Sequence, residues 1–238
     1  MPGEQMNEQQ AAAYLHMDMR EVAKLASRGQ MPCRRVADGF VFRKRELDHW
    51  VEAQMHKLGR QRLADIEKGV SAHHGFDHGA MLIEPMIPPQ GLAVPLKART
   101  RKAVIRELVA VADRSELVYA PNDLVEEVLK REELCPTALA PDVALPHPRH
   151  PLPHDIAASF VSVGLTPSGV PYGSQDGTLT RLFFLVCCKD DRTHLHVLAR
   201  LAQMLHDRRD IDRLLAVRST EEMRSTLTTL EQAAIRAT

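Results

Sequence analysis

Leu129–Pro153, LKREELCPTALAPDVALPHPRHPLP, is the stretch on which the reading of this chain turns. A charged helical segment gives way at Cys135-Pro136. A short apolar run, Val143-Ala144-Leu145, then stops at Pro146, and the next residue is His147. Pro146 fixes its own φ and turns the residue before it away from helix, so the backbone around His147 is held stiffly at the end of an element. Arg149 lies beside that histidine and Arg131 one helix upstream. A neutral imidazole is a competent nucleophile near its ordinary pKa of about 6.5. Cationic donors offset the charge on the oxygens of a phosphoryl group in flight, and the planar fork of an arginine suits them. These residue types in this pattern suit a phosphoryl acceptor.

Outward from this stretch, helical and strand periods alternate. Thr100 caps a helix to about Ala112 with Val104, Leu108 and Val111 on one face. Asp123-x-x-Glu126 reads as a capping box for a helix to about Glu133. ASFVSVGL (158–165) and TRLFFLVCC (180–188) read as strands, and the second, apolar throughout, is expected to be buried on both faces. GLAVPLK at 91–97 reads as a short strand. Leu195, Leu198, Ala202 and Leu205 make the next helical stripe, and Ser219-x-x-Glu222 opens a last helix with Met223, Leu227 and Leu230 inward. Helices interleaved with buried strands predict an α/β layered domain over 91–238, a mixed central sheet flanked by helices.

Residues 7–54 read differently: helix, turn, helix, hairpin, helix. Gln9–Leu15 is a short helix. Asp18 caps a second from Met19 to Ser27, and Gly29 stops it. CRRV and FVFR are two short strands joined through Ala37-Asp38-Gly39, where Asp-Gly signals a hairpin. A third helix follows, with Leu47 and Trp50 expected in the core. Residues 55–90 form a helical extension and then a linker, which the glycines and prolines from Gly75 to Pro89 place at about 69–90.

Composition narrows the function classes. Formal net charge is zero, so no global field drives binding to nucleic acid or a membrane surface, and any charge signal is local. Aromatics make up 4%, too few for a base-stacking surface. Cys33, Cys135, Cys187 and Cys188 form no CxxC pair, which fits a reducing compartment. The polar, acidic start is no signal peptide, and LFFLVCC (182–188) is too short to span a bilayer. The expectation is a cytoplasmic protein with no membrane insertion. His147, His150 and His154 alternate with stiffening prolines, and His73, His74 and His78 fall in the extension and linker, so neither group is expected to hold zinc and no cofactor or metal is required.

Three motifs in order, L-x-R-E at Leu129–Glu132, A-L-P-H at Ala144–His147 and H-L-x-x-L-A-x-L at His194–Leu201, resemble the enzyme IIA domain of the fructose/mannitol/nitrogen-regulatory type in the sugar phosphotransferase system. The resemblance covers about 85–235. It implies that His147 accepts a phosphoryl group from a phosphocarrier protein, that Arg131 assists, and that His194 lies beside His147. The site so implied is catalytic His147, His194 and Arg131, with Arg131 and Arg149 on the phosphate, and His147 exposed in a shallow anion-binding hollow. One departure stands out: Pro141-Asp142 occupy positions where the family usually has glycine and a small residue.

The first region resembles the excisionase/MerR-like winged helix-turn-helix family through Ala11-Ala12-x-x-Leu15, Arg28-Gly29-Gln30-Met31-Pro32, Arg34-Arg35-Val36, Arg43 and Leu47-x-x-Trp50. That resemblance implies double-stranded DNA as partner. Arg20, Lys24 and Arg28 would face the major groove, and Arg34, Arg35, Arg43 and Lys44 would hold the wing on phosphates. One copy binds DNA weakly, so function requires a homodimer or a tandem site. Taken together, the expectation is a phosphoryl-accepting regulator of sugar or nitrogen metabolism. The alternatives are a phosphohistidine carrier in sugar uptake and a degenerate domain that is never phosphorylated.

Overall fold

The structure is a computed structural model that describes residues 4–174 and 177–237. It divides into two compact units, one up to His78 and one from Gly79 onward.

In the first unit, β1 (Gln5–Asn7) leads into α1 (Glu8–Tyr14), which opens on a reciprocal cap: Asn7 Oδ1 accepts from the Gln10 amide while Gln10 Oε1 accepts from the Asn7 amide. Asp18 caps α2 (Met19–Ser27), and Gly29, at φ +66°, lets the chain leave it. The expected hairpin forms as β2 (Arg34–Val36) and β3 (Gly39–Arg43), with Val36 opposite Gly39. β1, which the polar sequence did not announce, pairs antiparallel to the other edge of β3. α3 (Lys44–Gln54) buries Leu47 and Val51, while α4 (Arg60–His74) crosses α1 closely. A Cβ at Gly69 would lie 2.5 Å from the Tyr14 carbonyl oxygen, so only glycine fits there.

Two expectations for this unit change. Trp50 is half-buried rather than core, and its indole N–H donates to the Gln30 carbonyl at 2.6 Å. Lys44 does not sit on a wing surface. It is 7% exposed, its ammonium lies 2.8 Å from Asp48 Oδ2 and over the Tyr14 ring, and Tyr14 Oη donates to Asp48 Oδ1. The reason is its place in the first turn of α3, where its long stem folds inward to pair a carboxylate four residues on. Arg20, Lys24, Arg28, Arg34, Arg35 and Arg43 are exposed.

The second unit begins with α5 (Ile83–Met86) and β4 (Leu92–Ala93), all that forms of the strand expected at 91–97. α6 (Arg101–Asp113) is capped by Thr100 as its sequence indicates. α7 (Pro121–Leu134) starts two residues before the expected capping box, because Pro121 fills the first helical position, where a missing N–H costs nothing. β5 (Ala138–Ala140), β6 (Asp142–Ala144), β7 (Phe160–Val170) and β8 (Thr180–Cys187) follow, then α8 (Asp191–Met204), α9 (Arg208–Ala216) and α10 (Thr220–Arg236).

The sheet runs β4-β7-β8-β6-β5 and is mixed. β4 is parallel to β7 and β6 to β8, while β7 pairs antiparallel with β8 and β5 with β6. β8 is buried along nearly its whole length, on both faces. Ala144, Phe160, Phe183 and Leu185 pack against Val104, Leu108 and Val128 of α6 and α7.

The stretch 79–90 is not a free linker. Glu231 of α10, fully buried, accepts from the amides of Leu82, Ile83 and Glu84 and pairs with Arg200 of α8 at 3.3 Å. Arg224 holds the carbonyls of Ile87 and Pro88. The amides at the start of α5, which have no helical acceptor, and the carbonyls of the proline-rich stretch after it are satisfied by these two side chains. Among the described residues no helix is long and apolar enough to cross a membrane.

Candidate functional site

β6 and β8 are parallel neighbours, so their carboxyl ends open on the same edge of the sheet, where open α/β sheets place their sites. The chain leaving β6 keeps its hold on both sides: the Leu145 amide donates to the Thr137 carbonyl at 3.0 Å, and the Val186 amide to the Pro146 carbonyl at 2.9 Å. Pro146, lacking an N–H, is used only as an acceptor. His147 comes next. The chain leaving β8 turns at Asp190, which caps α8 by accepting from the Thr193 amide and hydroxyl, and His194 stands in that first turn. Two histidines far apart in sequence therefore meet, their ring centroids 5.0 Å apart at 62°.

The tautomer of His147 follows from one contact. Nδ1 lies 2.7 Å from the Leu145 carbonyl oxygen. A carbonyl only accepts, so Nδ1 carries the hydrogen and the lone pair of the neutral ring is on Nε2. His147 is 4% exposed rather than open as expected; its Nδ1 turns to its own loop and its ring stands against that of His194.

Arg131 stands in the last turn of α7, where its guanidinium donates to the Cys135 carbonyl at 2.9 Å and closes the helix end. Arg149 is exposed. The contact that assembles the site joins the two histidines. The first-turn N–H of Thr193 already serves the Asp190 carboxylate.

One part of the site had no reading in the sequence. Glu132, beside Arg131 in the same motif, is 1% exposed and accepts from both the amide (2.8 Å) and the hydroxyl (2.6 Å) of Thr137. Burial pushes its carboxyl above the ordinary range, against the bonds from Thr137 and the charges of Arg101 and Arg131. The signal was a glutamate inside a helix end that should otherwise face water. Asp142, the departure from the family pattern, has φ +70° and pairs with Arg208 at 2.9 Å. That left-handed backbone is the conformation glycine adopts without strain. Cys187 and Cys188 are core residues whose thiols burial pushes up.

The family model described as phosphoenolpyruvate-dependent sugar phosphotransferase system, EIIA 2, matches residues 87–229, more than half of the chain. The chain belongs to the EIIA 2 family. It is 31% identical over 150 residues to the nitrogen regulatory protein of Bradyrhizobium diazoefficiens, covering 62% of this chain and 95% of that one. Among solved structures it is similar to the nitrogen regulatory protein IIA-Ntr of Neisseria meningitidis, with 26% identity and a TM-score of 0.56 over 62% of this chain and 99% of that chain. It is similar also to the mannitol IIA of Escherichia coli, solved in complex with phosphorylated enzyme IIB, with 25% identity and a TM-score of 0.53 over 59% and 96%. The EIIA 2 region falls wholly inside the second unit. This unit thus has a regulatory or phosphocarrier role in the phosphotransferase system.

Proposed function

We propose that Nε2 of His147 accepts a phosphoryl group from a phosphocarrier protein of the phosphotransferase system, and that the first unit binds double-stranded DNA. The chain would then tie transcription of sugar or nitrogen genes to phosphoryl supply. The observation that carries the first part is the Nδ1–H bond to the Leu145 carbonyl, which fixes the nucleophilic lone pair on Nε2 beside His194. In the transfer, that pair forms the new N–P bond while the bond from phosphorus to the donor breaks and its electrons leave with the donor. His194 stabilises the equatorial oxygens by donation from its ring. Arg131 offers the N–H donors that the Cys135 carbonyl does not use, and Arg149 swings in from the surface.

Incubation with phosphorylated phosphocarrier, read by intact mass, tests this reading. The chain should gain one phosphoryl group and His147→Ala should gain none. A wild-type chain that stays unmodified refutes it.

DNA binding rests on the winged helix-turn-helix resemblance and on the exposure of Arg20, Lys24, Arg28, Arg34, Arg35 and Arg43. Lys44 drops out, being held by Asp48. An electrophoretic shift with genomic duplex should fall steeply with salt and vanish on Arg34→Ala with Arg35→Ala. A salt-insensitive shift, or none, removes this half. The likeness to a mannitol IIA that meets phosphorylated IIB favours a second reading, a carrier in sugar uptake. A duplex that never shifts, together with a phosphorylated His147, selects it.

A further inference from the structure

Glu132 lies a whole loop away from His147, yet an unbroken series of contacts joins them. Its carboxylate accepts the Thr137 amide and hydroxyl at 2.8 and 2.6 Å. The Thr137 carbonyl accepts the Leu145 amide at 3.0 Å, and the Leu145 carbonyl accepts Nδ1–H of His147 at 2.7 Å. Each link is a directional bond, and both ends are buried, Glu132 at 1% and His147 at 4%. A buried carboxylate that only accepts must be met by donors, and Thr137 supplies two from one residue. That fixes the position and rotation of Thr137, hence where its carbonyl points, hence the plane of the Ala144–Leu145 peptide and with it the placement of Leu145.

We propose that Glu132, through Thr137, is a positioning residue that selects the Nδ1–H tautomer of His147 and so makes Nε2 the phosphoryl acceptor. The proposal rests on the reading of His147 as acceptor. It acts by geometry, not by passing charge. The Leu145 amide that Thr137 holds and the Leu145 carbonyl that His147 meets belong to different peptide groups, so no conjugation links them. If the Leu145 carbonyl turns, Nδ1–H loses its acceptor and the ring is released to the other tautomer, which places the hydrogen on the atom that must attack. Arg101 and Arg131 favour the charged form of Glu132, and Tyr172 lies beside the same group with Arg101 over its ring at 5.6 Å.

The test uses the full chain with potassium phosphoramidate as a small-molecule phosphoryl donor, so that no docking partner is involved, together with long-range ¹H–¹⁵N NMR of the His147 ring. Three variants serve. Glu132→Ala removes the acceptor. Glu132→Gln keeps one acceptor for the Thr137 amide, and its NH₂ can donate to a reversed Thr137 hydroxyl. Thr137→Val removes the hydroxyl alone. The expected result is a single Nδ1–H tautomer in the wild type and in Glu132→Gln, mixed tautomers in Glu132→Ala, and phosphorylation rates about tenfold lower in Glu132→Ala but within about threefold of wild type in Glu132→Gln. A folded Glu132→Ala with the wild-type tautomer and rate overturns the proposal, as does a Glu132→Gln that behaves like Glu132→Ala. If Glu132→Ala does not fold, Thr137→Val decides: a partial tautomer mixture supports the proposal and an unchanged ring overturns it. The tautomer is read without phosphorylation, so a wild-type chain that takes no phosphoryl group refutes the acceptor role and is distinguished from a failure of Glu132.

Discussion

Replacing Glu231 should undo the anchoring of residues 79–90, and its two obvious variants should differ by a calculable amount. Oε1 of Glu231 accepts from Leu82 at 2.6 Å and Ile83 at 2.7 Å, Oε2 accepts from Glu84 at 2.9 Å, and Arg200 lies 3.3 Å away, both ionic side chains at 1% exposure or less. Glu231→Gln keeps an oxygen for Leu82 and Ile83 but sets its NH₂ against the Glu84 N–H and removes the charge opposite Arg200. Breaking one side of a buried pair costs about 3–5 kcal/mol. The Ala80 carbonyl, 3.2 Å from the Arg200 guanidinium, offsets part of that, which puts the Gln variant near ~3 kcal/mol. Glu231→Ala adds the buried Ile83 amide with no acceptor, about 1–3 kcal/mol more. Against a whole-domain stability of about 5–15 kcal/mol, the Gln variant should fold and the Ala variant should be marginal. Urea unfolding followed by far-UV circular dichroism measures the global loss, and amide exchange at Leu82, Ile83 and Glu84 measures the local one. A Gln variant within about 1 kcal/mol of wild type, with exchange unchanged at those three amides, would show that this segment is held by something else.

Three further outcomes are expected. At Asp142, φ +70° strains any side chain, whereas the ion pair to Arg208 is half-exposed and weak, so Asp142→Gly should match or exceed wild-type stability and Asp142→Ala should lose about 1 kcal/mol in a urea titration; the reverse order would contradict the strain argument. Asp48 has its carboxyl raised by burial, outweighing Lys44, so the native state keeps this proton to higher pH than the unfolded chain does. Stability of the first unit, followed by Trp50 fluorescence, should therefore fall as pH climbs from about 3.9 through the raised value, and Asp48→Asn should lack that decline. Lys44→Met should destabilise the first unit by about 3 kcal/mol while leaving the salt dependence of any duplex shift unchanged, whereas Arg34→Ala with Arg35→Ala should abolish the shift.

What the residues announced and what they hid divides along physical lines. Thr100, Asp190 and Ser219 precede strongly periodic apolar stripes, and their side chains form the caps found in the structure, because capping and periodicity are both local. β8 declared itself by the apolar run from Leu182 to Cys187. β5 and β6 are three residues each and take their strand character from their partners, β6 from β8 and β5 on either side and β5, at the sheet edge, from β6, which no local pattern shows. α9 was missed because only Ile211 and Leu214 are buried in a run of charges. The prolines of 85–89 suggested a linker, yet the carbonyls of Ile87 and Pro88 are bound by a side chain more than a hundred residues away. His147 and His194 could be paired only through the motifs of the family, since their approach depends on β6 and β8 being parallel neighbours. Glu132 was passed over and Lys44 misjudged for one reason: both sit in helices beside exposed charges, and a sequence does not say which of several charged side chains turns inward.

The central claim concerns one nitrogen. ¹⁵N and ³¹P NMR of the full chain, labelled in its histidines and phosphorylated by its phosphocarrier, can locate the phosphoryl group on a single ring atom. A phosphoryl on Nε2 of His147, with Nδ1 still protonated against the Leu145 carbonyl, is the predicted spectrum. A phosphoryl on Nδ1, on His194, or on neither ring would contradict the account.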